Sequence, residues 1–308
     1  MPVDLAAIRS AADAVRPHVL RTPIVDAGRA KLKLECLQLT GSFKVRGFLA
    51  AAIALPEEKR ARGLMTVSAG NAAIACAFAA NHVGVPCRVV MPDGAPRVKL
   101  DGVRRYGAEP LQMPRPQMMD WIEQRMWEWE PEAFIHPFLD ETLQAGAGGI
   151  GLELLEDVPD LECLVAPVGG GGLITGVGTA LKARNPRIRV IGVQSDGYPM
   201  WREAFAAGGR VALTPQTIAD GTTAPWTEQM HKTLQQVVDT WITVPEPRLR
   251  TAIPELAARA KVVAEGAGAL AYAALEQLGP GPVTVALVSG GNLDSALLAD
   301  LLTESSGG

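Results

Sequence analysis

Four consecutive glycines join an apolar run to a helical pattern, and this junction constrains the possible fold more than any other feature. The run 164–168 leads into Gly169, Gly170, Gly171 and Gly172, and amphipathic helical spacing follows. A strand, a bare loop and a helix N-terminus in this order let successive backbone N–H groups point at one anion. No Lys-Ser/Thr pair follows the glycines, so the loop is not a nucleotide P-loop. The sequence therefore predicts a site for the phosphate group of a small cofactor.

Short apolar runs alternate with longer helical segments along most of the chain. Apolar residues recur at i, i+3 and i+4 in 71–83 and in 140–155. Such alternation predicts parallel sheets flanked by helices. The runs are too many for one sheet, so we expect an α/β fold of two lobes, each with a mainly parallel, twisted sheet. The predicted strands are 33–37, 64–67, 87–91, 109–112, 134–136, 161–167, 187–193, 240–244 and 283–288.

Composition and charge exclude several classes of protein. Hydrophobic residues make up 48% of the chain and charged residues 20%, which excludes disorder. The net charge of −4, without a basic block, gives no reason to bind nucleic acid or anionic lipid. The N-terminal segment has the pattern of an amphipathic helix rather than a signal peptide, and no apolar run is long enough to span a membrane. We expect a cytoplasmic protein.

The cysteines and histidines are scattered. The four cysteines form no C-x-x-C pair, and the four histidines form no H-E-x-x-H motif. The sequence therefore predicts reduced, buried thiols and no metal site.

Two conspicuous patterns are interpreted mainly as packing. Residues 146–151 match G-x-G-x-x-G, but they lie within a helical pattern rather than after a strand. The Met- and Trp-rich segment 113–130 is interpreted as a helix that buries Met119, Ile122 and Met126. The alternative for this segment is a helix beside a mobile substrate entrance or a subunit contact.

A lysine follows the predicted strand 33–37. Ser42 is suited to cap a helix N-terminus, which places Lys44 in the first turn of that helix. The helix dipole and burial would both lower the pKa of a lysine there and make its amine a better nucleophile.

Two more polar corners follow predicted strands. The first consists of Ser68, Ala69, Gly70 and Asn71, and its free N–H groups are suited to bind a carboxylate. The second is Ser289-Gly-Gly-Asn292. Carboxyl ends of parallel strands meet at one sheet edge, where α/β folds bind ligands. We therefore expect these corners to lie near Lys44 and the glycine loop.

Seven motifs together resemble the serine/threonine dehydratase family. This family comprises pyridoxal-phosphate-dependent enzymes with the tryptophan-synthase β-type fold, fold type II. The motifs occur in family order over roughly residues 20–295. They are Lys33-x-Glu35-x-x-Gln38-x-Thr-Gly-Ser-Phe-Lys44-x-Arg46-Gly, Ser68-Ala-Gly-Asn71, His136-Pro137, Pro167-Val-Gly-Gly-Gly-Gly-Leu173, Ala219-Asp-Gly221, Glu265-Gly-Ala-Gly268 and Ser289-Gly-Gly-Asn292.

The resemblance implies pyridoxal 5'-phosphate as cofactor and roles for residues in four of the seven motifs. Lys44 would hold the cofactor as an internal aldimine and later act as base at the substrate Cα. The residues that would contact the cofactor are Phe43 on the ring, Asn71 at the phenolic oxygen, Ser289 at the pyridine nitrogen, and Gly169, Gly170, Gly171, Gly172 and Leu173 at the phosphate. The substrate carboxylate would bind at Ser68, Ala69, Gly70 and Asn71.

The implied reaction is β-elimination. A β-hydroxy amino acid such as L-threonine or L-serine would be dehydrated and deaminated to a 2-oxo acid and ammonia. The resemblance also implies a homodimer with a large cofactor-binding domain, residues 1–51 and 139–308, and a small mobile domain, residues 52–138, that closes over the substrate.

Departures from the family pattern disfavour some activities and leave the substrate open. The racemase branch has a serine at the Ala69 position, and the cation-binding branch has an acidic residue at the Gln194 position, so racemisation and a metal site are disfavoured. Phe48 and the residues after Phe138 also differ, so larger hydroxyamino acids, hydroxyaspartate- or phenylserine-like, remain possible substrates. Two alternatives are a synthase of the same fold type and a non-catalytic cofactor-binding protein. The sequence lacks the usual synthase motifs Thr-Ser-Gly-Asn-Thr-Gly and Gly-Thr-Gly-Gly-Thr, and Lys44 argues against a protein without catalysis.

Overall fold

The strands form two sheets, as the sequence predicts. The structure is a computed structural model that describes residues 3–279, 281 and 283–306. Apart from the first, each predicted strand overlaps an observed one, although the predicted strand 134–136 shares only Phe134 with it, and the short strand at 24–26 is not predicted. The ten strands in the described residues are β1 (Ile24–Asp26), β2 (Lys31–Lys33), β3 (Leu64–Val67), β4 (Cys87–Pro92), β5 (Glu109–Met113), β6 (Ala133–Phe134), β7 (Cys163–Pro167), β8 (Arg189–Ser195), β9 (Thr240–Val244) and β10 (Thr284–Leu287).

Both sheets are mainly parallel. The larger one has six strands in the order β1-β2-β10-β7-β8-β9, and only its edge pair β1–β2 is antiparallel. The smaller one has four parallel strands in the order β5-β4-β3-β6. In the larger sheet, β10 comes from the end of the chain and lies between β2 and β7.

Helices cover the sheets and join them. The buried alanines of the helices at 44–54 and 71–82 share one apolar cluster with the smaller sheet. Short 3₁₀ turns lie at Arg16–His18, Glu35–Leu37, Met126–Trp129, Asp220–Thr222 and Leu275–Gln277. The α-helices are α1 (Leu5–Val15), α2 (Lys44–Ala54), α3 (Glu57–Arg60), α4 (Asn71–His82), α5 (Arg97–Arg105), α6 (Arg115–Glu123), α7 (Glu141–Asp157), α8 (Gly172–Arg184), α9 (Met200–Ala207), α10 (Glu228–Val237), α11 (Glu246–Ala260), α12 (Gly266–Ala274) and α13 (Ser295–Ser306).

The predicted strand 33–37 is wrong beyond its first residue. β2 ends at Lys33, and Glu35–Leu37 forms a 3₁₀ turn. Both Lys33 and Glu35 are fully buried, where Lys33 Nζ contacts Glu153 at 2.6 Å and Arg46 Nε donates to Glu35 at 2.9 Å. Buried charges need charged or hydrogen-bonding partners. The partners of Lys33 and Glu35 come from other parts of the chain, and the backbone leaves the strand after Lys33.

The G-x-G-x-x-G match is helix packing, as expected. These glycines lie within α7, and a Cβ on Gly146 would lie 2.6 Å from the Arg46 carbonyl oxygen of α2. A Cβ on Gly151 would lie 2.7 Å from Ala180 of α8. The small residues therefore allow α7 to approach both neighbouring helices closely.

The Met/Trp-rich segment differs from its prediction in the face that it buries. α6 ends at Glu123, and Arg125 adopts a left-handed conformation with φ 53°. Met118 is buried, whereas the predicted core residues Met119 and Met126 are 44% and 37% exposed. The helix is therefore interrupted before it completes the predicted stripe.

Two general expectations can be compared with the described residues. All four cysteines are buried and form no disulfide. In the part of the chain that the structure describes, no helix combines the length and apolarity needed to traverse a bilayer.

Candidate active site

The Lys44 amine lies at the start of α2, beyond the end of the larger sheet. Its Nζ donates a hydrogen bond to the Pro137 carbonyl oxygen at 2.9 Å. The lysine is half-buried, and the loss of hydration around its amine lowers the pKa of Lys44 to about 8. The predicted cap is wrong: Phe43 occupies the N-cap position, and the buried Ser42 hydroxyl has no hydrogen-bond partner among the described residues.

The Ser289 corner is joined directly to the Lys44 corner. Ser42 pairs with Gly290 in an isolated antiparallel bridge, and the Phe43 amide donates to the Ser289 carbonyl oxygen at 3.1 Å. The Ser289 hydroxyl is buried and donates to the Ala267 carbonyl oxygen at a long 3.4 Å. Lys44 Nζ lies 5.1 Å from the centre of the Phe43 ring. These backbone bonds hold the two corners together.

The Asn71 corner contacts the Ser289 corner through Asn292. β3 ends at Val67 and α4 begins at Asn71, which confirms a strand-to-helix corner. Ser68 Oγ accepts from the Gly70 amide at 3.0 Å, and Asn71 Oδ1 accepts from Asn292 Nδ2 at 2.8 Å. Residues 68–71, Ala69 included, are half-buried, so this corner is open to a small ligand.

The glycine loop joins β7 to α8, and the backbone amides of Gly170, Gly171 and Gly172 have no hydrogen-bond partner in the described residues. Gly171 has φ +89°, which L side chains rarely adopt. Trp201 anchors the start of the loop, because its indole Nε1 donates a hydrogen bond to the Gly169 carbonyl oxygen at 2.6 Å. Free N–H groups at a helix N-terminus are suited to bind an anion, and Leu173 follows in the first turn of that helix.

The segment 136–138 connects the lysine to the glycine loop. Pro137 accepts from Lys44, and the Phe138 ring packs so closely on Gly170 that a Cβ there would overlap it. His136 Nδ1 accepts from the Leu139 amide at 3.1 Å. Burial, and then the nearby Lys44, lower the pKa of His136 to about 4, so its ring is neutral near pH 7.

Two charged residues in the site were not predicted. Lys99 Nζ lies 2.9 Å from Glu265 Oε2, and both side chains are buried. Glu265 also accepts a hydrogen bond from Asn71. The resemblance includes Glu265 in a motif without assigning it a role, and no sequence signal distinguishes Lys99 from the other lysines.

Gln194 uses its amide to hold the start of α9. Its Nε2 donates to the Val168 carbonyl oxygen at 3.3 Å, and its Oε1 accepts from the Trp201 and Arg202 amides at 2.9 and 3.2 Å. Among the residues described, no group of three His, Cys, Asp or Glu side chains could hold a metal ion.

The residues present fit pyridoxal phosphate. A half-buried amine with a lowered pKa suits covalent attachment of an aldehyde, and the unpartnered loop amides suit a phosphate. The sequence matches, over residues 15–290, the family described as pyridoxal-phosphate dependent enzyme. The chain belongs to this family. The cofactor predicted from the sequence is therefore confirmed.

Two curated relatives are similar over most of the chain. The catabolic L-threonine dehydratase of Staphylococcus aureus (strain N315) is 37% identical over 317 residues, which cover 95% of this chain and 90% of the relative. The L-threonine ammonia-lyase of Thermotoga maritima is 41% identical over 288 residues, which cover 91% of this chain and 71% of the relative. The resemblance to serine/threonine dehydratases is thereby confirmed at the level of the family.

Solved structures share the fold. The threonine deaminase of T.th. has a TM-score of 0.87 and 36% identity, covering 94% of this chain and 99% of that one. Maize serine racemase has a TM-score of 0.91 and 31% identity, covering 100% of this chain and 99% of that one. These similarities confirm the predicted fold class and show that the chain is an enzyme of this kind.

Proposed function

We propose that this enzyme catalyses β-elimination of a β-hydroxy amino acid such as L-serine or L-threonine, releasing a 2-oxo acid and ammonia. One observation carries the proposal: the half-buried Lys44 amine, with its pKa lowered to about 8, lies close to the glycine loop and to the Ser289 corner. The names of the Staphylococcus and Thermotoga relatives support threonine as a substrate.

Four of the seven motifs have proposed roles toward the cofactor. When bound, pyridoxal phosphate supplies an electron sink for negative charge at the substrate Cα. Lys44 would hold the aldehyde carbon of the cofactor, and Asn71, Phe43 and Ser289 would contact its ring. The phosphate would bind at the amides of the loop from Gly169 to Gly172 and of Leu173.

The substrate roles follow from the same geometry. Ser68, Ala69, Gly70 and Asn71 would bind the carboxylate with backbone N–H groups and polar side chains. Once the substrate displaces it, the neutral Lys44 amine would take the Cα proton. The β-hydroxyl would leave as water after gaining a proton, which an acidic oxygen of the bound phosphate can supply. The released enamine would tautomerise to an imine, and water would hydrolyse the imine to the 2-oxo acid and ammonia. An amine with a pKa near 8 is a competent base at neutral pH. The neutral His136 ring adds no positive charge that would raise the cost of protonating Lys44.

We also propose that the chain works as two domains, residues 1–51 and 139–308 and residues 52–138. Support comes from the separate four-stranded sheet, whose strands lie between Leu64 and Phe134. The small domain would close over the substrate and exclude water from the reacting centre.

A cytoplasmic homodimer completes the proposal. Leu20, Leu37 and Leu39 are each 44–45% exposed. Gln38 holds them together, because its side chain exchanges two hydrogen bonds with the Leu20 backbone at 2.8 and 2.9 Å. An exposed apolar patch fixed in this way supports contact with a second copy.

The decisive experiment measures 2-oxo acid and ammonia from a panel of β-hydroxy amino acids, with and without an added thiol. The panel contains L-serine, L-threonine, 3-phenylserine and 3-hydroxyaspartate. Lys44→Ala is expected to abolish both turnover and the visible absorption of covalently bound cofactor, whereas Lys59→Ala, at an exposed lysine, retains both. Full activity of Lys44→Ala would refute the assignment, and thioether formation without 2-oxo acid would indicate a synthase.

A further inference from the structure

A buried ion pair joins the two sheets at the candidate site. Lys99 lies in α5, which packs on α4 and β5 of the smaller sheet, and Glu265 immediately precedes α12, which packs on the larger sheet. Their side chains are 4% and 3% exposed and lie 2.9 Å apart. The pair therefore links elements of both proposed domains, 166 residues apart in sequence.

Both members of the pair contact the Asn71 amide. Glu265 Oε1 accepts a hydrogen bond from Asn71 Nδ2. Lys99 Nζ lies 3.4 Å from Asn71 Oδ1, which also accepts from Asn292 Nδ2 at 2.8 Å. The oxygen of the Asn71 amide thus faces two donors, and the nitrogen faces an anion. A rotation of the amide by 180° would reverse all of these contacts, so its orientation is fixed.

The space for this arrangement comes from glycine. A side chain at position 290 would overlap Glu265 Oε1, and its Cβ would lie 3.1 Å from Asn71 Nδ2. The Glu265 amide also donates to the Gly290 carbonyl oxygen at 3.1 Å. Glu265 therefore contacts both the Ser289 corner, at Gly290, and the Asn71 corner, at the Asn71 amide.

A buried ion pair is not in itself a sign of stability. Taking two charges out of water costs free energy that their attraction often only offsets, and apolar residues of similar volume can replace such a pair without loss. Apolar residues, however, would leave Asn71 Nδ2 without the Glu265 acceptor, and Asn71 Oδ1 would keep only the hydrogen bond from Asn292. The contacts thus point to orientation of Asn71, rather than to stability alone, as the effect of the pair.

We propose that Lys99 and Glu265 act together as positioning residues that fix the Asn71 amide, so that one N–H of Nδ2 bonds to Glu265 and the second N–H is available to the cofactor. This inference rests on the proposed role of Asn71 at the cofactor ring. It makes three claims: both charges are needed, they act as one unit, and they act through Asn71.

The first test uses nearly isosteric, neutral replacements in the holoenzyme. Lys99→Met, Glu265→Gln and the double variant are compared by the dissociation constant of pyridoxal phosphate and by the absorption maximum of the bound cofactor. Each single change is expected to weaken binding about tenfold and to shift the maximum, because it leaves a buried charge without its partner. The double variant is expected to bind within about threefold of the weaker single variant, since coupled residues are not additive. Multiplied single effects in the double variant would refute the claim of one unit.

The second test removes Asn71. In an Asn71→Ala background, Lys99→Met is expected to change the dissociation constant less than about threefold, because the side chain that it positions is already absent. A further tenfold loss in that background would mean that the pair acts directly on a ligand, and would overturn the positioning role.

A matched control separates positioning from stability. Arg88 pairs with Glu132 at 3.0 Å between β4 and a residue beside β6, away from Lys44. Arg88→Met is expected to lower the melting temperature without changing the cofactor spectrum or its dissociation constant. If Lys99→Met and Glu265→Gln behave in the same way, the inference fails.

These readouts are independent of the substrate. Wild-type enzyme that forms no 2-oxo acid, with the expected coupling intact, would refute the proposed function and leave the inference standing. Normal 2-oxo acid formation by both single variants, with unchanged spectra, would refute only the inference.

Discussion

The substitution Gly170→Ala tests whether the glycine loop is held in one conformation by the segment 136–138. A Cβ on Gly170 would lie 2.7 Å from the Phe138 Cβ and closer still to its ring. Phe138 is buried and adjoins Pro137, which accepts from Lys44, so the ring cannot move without disturbing the lysine. Overpacking of this kind costs about 1–3 kcal/mol. We therefore expect pyridoxal phosphate to bind about 5- to 150-fold more weakly.

The assay is equilibrium titration of the cofactor-free protein, followed by absorption of the bound cofactor. Gly209→Ala is the matched control, because a Cβ at Gly209 would meet nothing within 4 Å. Combining Gly170→Ala with Phe138→Ala should recover part of the lost affinity, since the overlapping ring is removed. Equal affinities for Gly170→Ala and Gly209→Ala would refute the argument that close packing sets the loop.

Three further predictions follow from other contacts in the site. The folded-state pKa of Lys44, about 8, is below its ordinary value of 10.5, so the unfolded chain binds more protons between these pH values. The unfolding free energy of the cofactor-free protein should therefore rise with pH in this window, by up to about 1.4 kcal/mol per pH unit. Urea titrations of the Lys44→Met variant should lack that rise. Because Ala69 has no proton to donate, chiral chromatography should detect D-serine from L-serine far more slowly than pyruvate, and comparable rates would contradict this assignment. Trp201→Phe removes the indole hydrogen bond to Gly169, which contributes about 1 kcal/mol. This change should raise the dissociation constant of the cofactor about fivefold, whereas an unchanged constant would show that the loop does not need this hydrogen bond.

The sequence predicts an element correctly where its local residue pattern agrees with its surroundings in the folded protein. Strand 240–244 and the start of the helix at Asn71 were predicted to the residue, because apolar runs and turn residues mark their ends. The glycine loop was predicted from Gly169 to Gly172 because a strand, a bare loop and a helix are consecutive in the chain.

The failures occur where distant partners override local pattern. Lys33 and Glu35 alternate with apolar residues as in a strand, yet both are buried with charged partners from α2 and α7. Ser42 has the chemistry of a helix cap, but its pairing with Gly290 places it outside the cap position. Lys99 becomes part of the site only because the fold brings Glu265 to it.

The position of β10 has a consequence for how the protein is made. β2 and β7 are neighbours only through β10, a strand that begins at Thr284. Until this strand has left the ribosome, the larger sheet cannot close, and the nascent Lys44 corner cannot be fixed to the Ser289 corner. Pairings so distant in sequence form late and slowly, and a partly made chain exposes unpaired strand edges. Cofactor capture should therefore follow the synthesis of β10, and a protein truncated before residue 284 should aggregate rather than persist as a partly active enzyme.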